Sequence, residues 1–455
     1  MATLCNERGN DMNTIRSSAL LIAALILPSL GPLAATARVS SISEPVSPSI
    51  IIHCGNLIDG LSDTLLGARR VRIDKGVITA VDNTSRAVVT ENDIDLRDYT
   101  CLPGLINTHV HFDANPEDAA DYGIYARRST RDNLDLILKN AEITLKSGFT
   151  TVRHVGAWFP DAVATAKALI DEGLAQGPSI QTAGPYLTIP GGGGDLTFPE
   201  IPPDKIPPES QQGIASTPED FAKRAQAAID KGAQFLKVIA SGAVFSMGTA
   251  PGAPEMHQDD IAAVVAVART NGVKVTAHVH SDQSGRDAIL AGVDSLEHAS
   301  LLSDKTIRLA AERGVALSMD VYNGTYTDTT GRELGYPEVF IERNLATTEA
   351  QRSVFRKAVK AGVTLLYGTD AGVLPHDMGG WQFEIMVEHG MTPMQAIQSA
   401  TRVAAHHMGM SQEVGAISPG LQADIIAVRG NPLEDVSLLR EISFVLKDGE
   451  IVKAP

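Results

Sequence analysis

The sequence predicts an α/β protein, a (β/α)8 TIM barrel with a small β-sandwich domain formed by both termini. Three observations carry that expectation. Eight β-branched apolar runs recur between 105 and 368, each with an Ala-rich amphipathic stretch before the next, which is the pattern of βα units around a parallel sheet. Short strand-like runs separated by turn pairs flank this region on both sides. With 455 residues, 44% of them hydrophobic, the chain can bury a large core, which excludes a disordered chain or a disulfide-knotted miniprotein.

In chain order, 1–37 reads as a signal peptide: a basic start at Arg16 after Met12, an apolar run over 19–27, and Ala35-Thr36-Ala37 as a small-x-small cleavage site. Pro28 and Pro32 stop the run well short of the roughly 20 apolar residues of a membrane span. The expectation is export, to a periplasm or the medium, with no membrane segment in the mature form.

A Ser/Pro-rich linker over 40–49 leads into 38–103, the N-terminal part of the sandwich, with strands expected at 50–53, 70–73 and 77–81 and turns at Asp59-Gly60 and Lys75-Gly76. The barrel is assigned to 104–405, with strands at 105–112, 150–155, 179–182, 235–240, 274–279, 295–298, 316–320 and 364–368. That span exceeds the ~250 residues typical of the fold, and the surplus sits in loops after the third, fourth, seventh and eighth strands. Loops on that face build the active site of such barrels. Residues 406–455 complete the sandwich, with strands at 424–428, 444–447 and 451–452 and a turn at Asp448-Gly449.

A formal charge of −16 argues against nucleic acid as a partner and is compatible with bound metal cations. Cys5, Cys54 and Cys101 show no Cys-x-x-Cys spacing, which excludes a zinc ribbon and a thioredoxin-type pair. The pairing of Cys54 with Cys101 stays open.

His109-Val110-His111 ends the first strand, and alternation along a strand turns both imidazoles the same way, into the barrel mouth. With 12 His in 455 residues, composition predicts about 0.3 His-x-His pairs; the chain has a second, His278-Val279-His280, also at a strand end. Lys237, His298 and Asp370 fall at equivalent positions on other strands. Imidazole and carboxylate donors suit zinc or a similar divalent ion. A protonated Lys237 cannot ligate, so it is neutral, modified or outside the metal shell.

Pro103-Gly104-Leu105-Ile106-Asn107-Thr108-His109-Val110-His111, Lys237, His278, His298 and Gly368-Thr369-Asp370, with Gly420-Leu421-Gln422-Ala423-Asp424-Ile425 near the C-terminus, together resemble the amidohydrolase superfamily, binuclear-metal subtype. Within it the Lys237-Val238-Ile239-Ala240-Ser241-Gly242 run and the second His-x-His are similar to the branch of Xaa-Pro dipeptidases and imidazolonepropionases. The resemblance implies two divalent ions, with zinc expected. His109, His111 and Asp370 would hold one and His278 and His298 the other, with carboxylated Lys237 as bridging ligand. Asp370 would also shuttle the proton, and His280 would approach the substrate or orient a ligand. It further implies a homo-oligomer and a small-molecule amide or dipeptide substrate. The expected activity is carboxypeptidase-like cleavage of N-acyl amino acids or dipeptides, ochratoxin A among them, releasing phenylalanine. Hydrolysis of a cyclic amide of imidazolone or hydantoin type is the alternative, and a metal- or solute-binding protein without catalysis is a third.

Aromatic residues in the loops after the seventh and eighth strands suggest an apolar pocket, with Tyr322 donating a hydrogen bond to substrate and Tyr326, Tyr336, Phe340, His376 and Trp381 nearby. Arg153 is the one candidate for a substrate carboxylate, against a structural ion pair. Gly191-Gly192-Gly193-Gly194-Asp195 lacks the Gly-Lys-Ser/Thr of a phosphate loop and is expected to form a mobile lid. Gly193 and His154 stand where such relatives often carry a histidine and an aspartate.

Overall fold

The computed structural model describes residues 49–83 and 88–455. The expected signal peptide, 1–37, and the linker up to residue 48 lie outside the described residues. Ahead of the central region run β1 (Ile50–Leu57), β2 (Arg69–Asp74), β3 (Val77–Asn83) and β4 (Ile94–Pro103). The centre holds β5 (Leu105–Val110), β6 (Phe149–His154), β7 (Ser179–Thr182), β8 (Phe235–Ile239), β9 (Lys274–Val279), β10 (Ser295–His298), β11 (Ala316–Ser318) and β12 (Leu365–Leu366). The chain ends with β13 (Ile425–Arg429), β14 (Phe444–Lys447) and β15 (Glu450–Lys453).

Both flanks join in one small domain, as expected, whose strands form a single mixed sheet of seven ordered β15-β14-β13-β4-β1-β2-β3. The far strand bonds back to the chain ahead of β13, with Ile78 N–H donating to Leu421 O at 2.9 Å and Gly420 N–H to Ile78 O at 2.8 Å. The sheet therefore curls around its own core of Ile52, Val71, Leu96, Ile425, Phe444 and Leu446, and the curl covers an edge that a flat sheet would expose. The strand that sequence reading missed, β4, sits at the middle of this sheet. Asp95, Arg97 and Asp98 give its first half a polar texture, although Ile94, Leu96 and Cys101 keep to the inner side. It pairs with β1 in parallel and places Cys54 and Cys101, 47 residues apart, in a disulfide with a Cα–Cα distance of 5.8 Å.

The eight central strands match the expected positions to within a few residues, and every pair among them is parallel. They form two sheets, β5-β6-β7 and β12-β11-β10-β9-β8, in place of one unbroken closed ladder. Single parallel bridges span both seams, Leu187 to Val238 and Val110 to Ala371. Both seams fall where a short strand gives way to a long loop. Helices follow each strand on the outside. In Thr130–Lys146, Ser129 accepts the Asp132 N–H to cap the first turn, and Ile137, Ala141, Thr144 and Leu145 recur at the spacing that buries one helical face. Burying a side chain such as Ile137 contributes about 1.5–3 kcal/mol.

After β11 the chain forms two helices, Asn323–Leu334 and Glu338–Ala361, where a long loop was expected. The boundary expected at 103/104 falls between β4 and β5, whereas that at 405/406 falls inside the helix Arg402–Met408. Among the described residues no helix is long and apolar enough to cross a membrane.

The disulfide joins two neighbouring strands across a long loop, so its removal frees the unfolded chain. Cys54→Ser/Cys101→Ser should lower stability by about 2–4 kcal/mol in denaturant unfolding. An unchanged midpoint, with or without reductant, would show that the bond carries no stability.

Candidate metal centre

The C-terminal ends of β5, β8, β9 and β10, with the segment after β12, converge on one cavity lined by His109, His111, Lys237, His278, His280, His298 and Asp370. His109 Nε2 and His111 Nε2 each lie 3.3 Å from Asp370 Oδ1 and 3.2 Å from one another. Asn107 holds this corner in register: its Oδ1 accepts the N–H groups of His109 and Thr369 at 3.1 and 3.2 Å, and its Nδ2 donates to Thr369 Oγ1 at 2.7 Å. Gly368 is required beside it, because a Cβ there would stand 2.1 Å from Ser318 Oγ and 2.9 Å from His109 Cβ. His298, Ala299 and Asp370 have φ of 66°, 54° and 57°, a left-handed backbone that costs of order 1–3 kcal/mol per residue outside glycine. That turn lets the adjacent Glu297 and His298 both reach the centre, against the alternation of a regular strand.

Each imidazole is oriented from behind. Glu297 Oε2 and the carbonyl of Gly156 can only accept, so His109 Nδ1–H points to Glu297 at 2.8 Å and His111 Nδ1–H to Gly156 O at 3.1 Å. His298 Nδ1 lies 3.0 Å from Asp320 Oδ1. A ring that donates from Nδ1 in this way turns its Nε2 toward the cavity, and the Tyr186 hydroxyl also lies 3.0 Å from His111 Nδ1. His278 does the reverse, with Nε2 at 3.4 Å from Gly242 O. His280 Nδ1 is 2.9 Å from Ser300 Oγ.

The rings crowd together, with centroids 4.5 Å apart for His278 and His298 and 5.0 Å for His109 and His298. Burial, reinforced by neighbouring imidazoles, holds His278 well below the usual histidine range and His280 at about 3, so both stay neutral. Burial opposes the charge of Asp370, yet His109 and His111 keep its carboxyl well below the usual carboxylate range. Lys237 is 1% exposed, and burial pulls its pKa down to about 8 against Glu297 and Asp370.

Sequence reading missed the groups that orient these side chains. Glu297 is fully buried and takes bonds from His109, from Thr276 Oγ1 and from Arg153 Nη2 at 2.5 Å. Arg153 is thus a buried ion-pair partner and is no ligand for substrate, its Nε being spent on Thr108 O at 2.7 Å. Asp320 is held by Gln351 at 2.8 Å and Asn323 at 3.1 Å, and Asn323 also reaches Asp370 Oδ2 at 3.3 Å. Of these, Asp320 carried a legible signal, its place at the end of the seventh expected strand.

The aromatic wall also differs from expectation. Tyr122, Tyr125, Trp158, Tyr186 and Phe245 line the cavity. Tyr322 does not: its ring packs on Trp381 at 5.9 Å, and the Arg440 guanidinium covers the Trp381 ring at 3.8 Å. His376 lies behind the cavity, with Nε2 at 3.2 Å from Ala114 O and its ring against Phe112. Tyr336 and Phe340 pack on Phe245. Tyr326 is buried in its own helix without facing the cavity. The Gly191–Asp195 run is tied down by Trp158 Nε1–H to Gly194 O at 2.9 Å and by Gly191 N–H to Asp195 Oδ2 at 2.8 Å.

Residues 100–454 match the amidohydrolase family. The chain belongs to that family. It is a hydrolase acting on C–N bonds, in a family that typically depends on metal. It is 27% identical over 430 residues to the ochratoxinase of Aspergillus niger, a match that covers 89% of this chain and 87% of that one. The imidazolonepropionase of Geobacillus thermodenitrificans is 24% identical over 431 residues, covering 84% and 89%. A Xaa-Pro dipeptidase solved with methionine in its active site superposes with a TM-score of 0.83 at 32% identity, covering 89% of this chain and 99% of that one.

Removing one partner of a buried ion pair strands the other charge. Arg153→Met should therefore destabilise the protein by about 3–5 kcal/mol, with partial recovery in Arg153→Met/Glu297→Gln. Equal unfolding midpoints for wild type and Arg153→Met would remove the pair from the account of the site.

Proposed function

We propose that the protein is a binuclear zinc amidohydrolase that cleaves N-acyl amino acids or dipeptides, ochratoxin A among them, with release of the C-terminal amino acid. The triangle of His109 Nε2, His111 Nε2 and Asp370 Oδ1, with sides of 3.2, 3.3 and 3.3 Å, carries the reading. Donors at about 2.0–2.1 Å from a tetrahedral ion stand about 3.3–3.4 Å apart, so three aimed lone pairs at this spacing fit a cation. Neutral imidazoles beside an ionised carboxylate are the forms that ligate.

His109, His111 and Asp370 would hold one ion and His278 and His298 the second, with Lys237 carboxylated between them. The burial that lowers the Lys237 pKa to about 8 keeps a share of its amine unprotonated near neutral pH, the form that adds carbon dioxide, and the carbamate turns a repelled cation into an anionic donor. Bound divalent ions would supply a water of lowered pKa and polarise the scissile carbonyl.

The side chains do the rest. Asp370, fixed by Asn323 and kept ionised, takes the proton of the attacking water and returns it to the departing amine, which an amide needs because its anion leaves poorly. His280, neutral and held by Ser300, would approach the substrate. The aromatic wall of Tyr122, Tyr125, Trp158 and Phe245 would seat the apolar part. Ring opening of a cyclic amide uses the same machinery, and the relation to an imidazolonepropionase keeps it as the second reading.

Export is part of the proposal, and the Cys54–Cys101 disulfide supports an oxidising compartment. A homo-oligomer remains the expectation for the assembled enzyme.

The test is hydrolysis of ochratoxin A, N-acyl-phenylalanine, Xaa-Pro dipeptides and a cyclic imide by zinc-loaded protein. We expect a free C-terminal amino acid, loss of turnover with chelator, and a fall in kcat of about 10²–10⁴-fold in Asp370→Asn. Ring-opened product alone would replace the exopeptidase reading. Undiminished turnover in the variant would remove Asp370 from proton transfer.

A further inference from the structure

Two long loops meet beside the cavity, one after β7 carrying the four-glycine run and the other spanning 241–257 after β8. Glu255 stands at their junction, 7% exposed, and both its carboxyl oxygens accept from Gly193 N–H, at 3.0 and 3.1 Å. A Cβ on Gly192 would lie 2.7 Å from Glu255 Oε2 and 2.7 Å from Thr188 Oγ1, so the run admits no side chain there while Glu255 holds its place. Gly193 lines the cavity with Ile239, Ala243, Val244 and Phe245, although Glu255 itself does not.

The partner loop is rigid at this point. Arg343, from the helix Glu338–Ala361, donates to the carbonyls of Ala243, Ser246 and Gly248 at 3.1, 2.5 and 2.9 Å. Gly193 is thereby pressed against a fixed wall, where even a Cβ would meet that of Ala243 at 3.1 Å. One hydrogen-bonded carboxyl group sets how far the glycine run stands from that wall.

We infer that Glu255 is a positioning residue, which fixes the depth of the substrate cavity by docking Gly193 against Ala243 and releases that dock as its carboxyl ionises. The cavity is the one in which the proposed amide hydrolysis takes place, so the inference rests on that reading for its kinetic consequence and on geometry alone for the docking.

Burial drives the Glu255 pKa up to about 7, against hydrogen bonds from Gly193 and the Thr249 side chain. No charged group among the described residues compensates it. On the glycine run the charged residue is Asp195, occupied by Gly191 N–H and the Gln211 amide. On Glu255's own segment His257 is exposed, and Asp260 accepts the His257 N–H. Arg343 is spent on carbonyls. An acid whose pKa is raised in the docked state holds its proton more tightly there than when the loops part and water reaches it. Docking is therefore strongest below the usual carboxylate range, weakens between that range and about 7, and stays at its weakest above.

The test is hydrogen–deuterium exchange of zinc-loaded protein, read on the peptide over 190–196 and corrected for the intrinsic pH dependence of exchange. From pH 5.5 to 7.5 the protection factor should fall about tenfold in wild type. In Glu255→Gln, which keeps the shape and cannot ionise, it should stay at the wild-type low-pH level. On the amide substrate the variant should show a KM several-fold below wild type at pH 7.5, with the gap narrowing as the pH falls to 5.5. A flat wild-type profile, or the same slope in the variant, overturns the inference. If no amide is hydrolysed, the functional reading fails while the exchange profile still decides the dock.

Discussion

Five imidazoles, a lysine and a carboxylate share one cavity shielded from water, and the rest of the molecule is arranged around the difficulty of keeping them there. Protonated, the rings would repel one another at centroid distances near 5 Å. Burial keeps His278 and His280 neutral, which leaves each of them one lone pair and one N–H to place, whereas at His109 burial is outweighed by Asp370 and Glu297, which raise its pKa. The fold orients three of the rings by supplying acceptors from other strands: Glu297 from β10 for His109, Gly156 after β6 for His111, and Asp320 after β11 for His298.

Glu297 shows how far this support extends. A fully buried carboxylate is expensive unless it is paired, and Arg153 reaches it from β6 while Thr276 reaches it from β9. One buried pair thus ties three strands together beneath the centre. On the far side of the cavity a similar logic runs through Arg343 and Glu255, which hold the two long loops that form its wall. The curled terminal sheet brings β4 directly into β5, so that the first histidine pair starts from an anchored strand.

Local patterns in the chain carry the order of the strands and the direction of the paired histidines. Eight strands are visible because β-branched runs and Gly turns repeat at short range, and the two His-x-His pairs declare their common direction because strand side chains alternate. The failures involve partners far apart in the chain. Tyr322 was expected in the cavity because its loop begins on the active face, yet Trp381 and Arg440 draw its ring elsewhere. Tyr122, Tyr125 and Trp158 had no local pattern to mark them. The strand β4 is not legible locally because Asp95, Arg97 and Asp98 mask its alternation, and its burial depends on neighbours from both ends of the chain.

By itself the sequence determined the class of fold, the order of its strands and the identities of the side chains that meet at the centre, because these follow from periodicities of two and 3.6 residues and from the donor chemistry of His, Lys and Asp. Only the tertiary structure decided the rest: the pairing of Cys54 with Cys101, the curl of a single sheet, the carboxylates that orient each imidazole, and the aromatic wall. These are contacts between residues tens to hundreds of positions apart, with separations such as 188 for His109 and Glu297 and 47 for the disulfide, and no local pattern encodes which distant surface a side chain will meet.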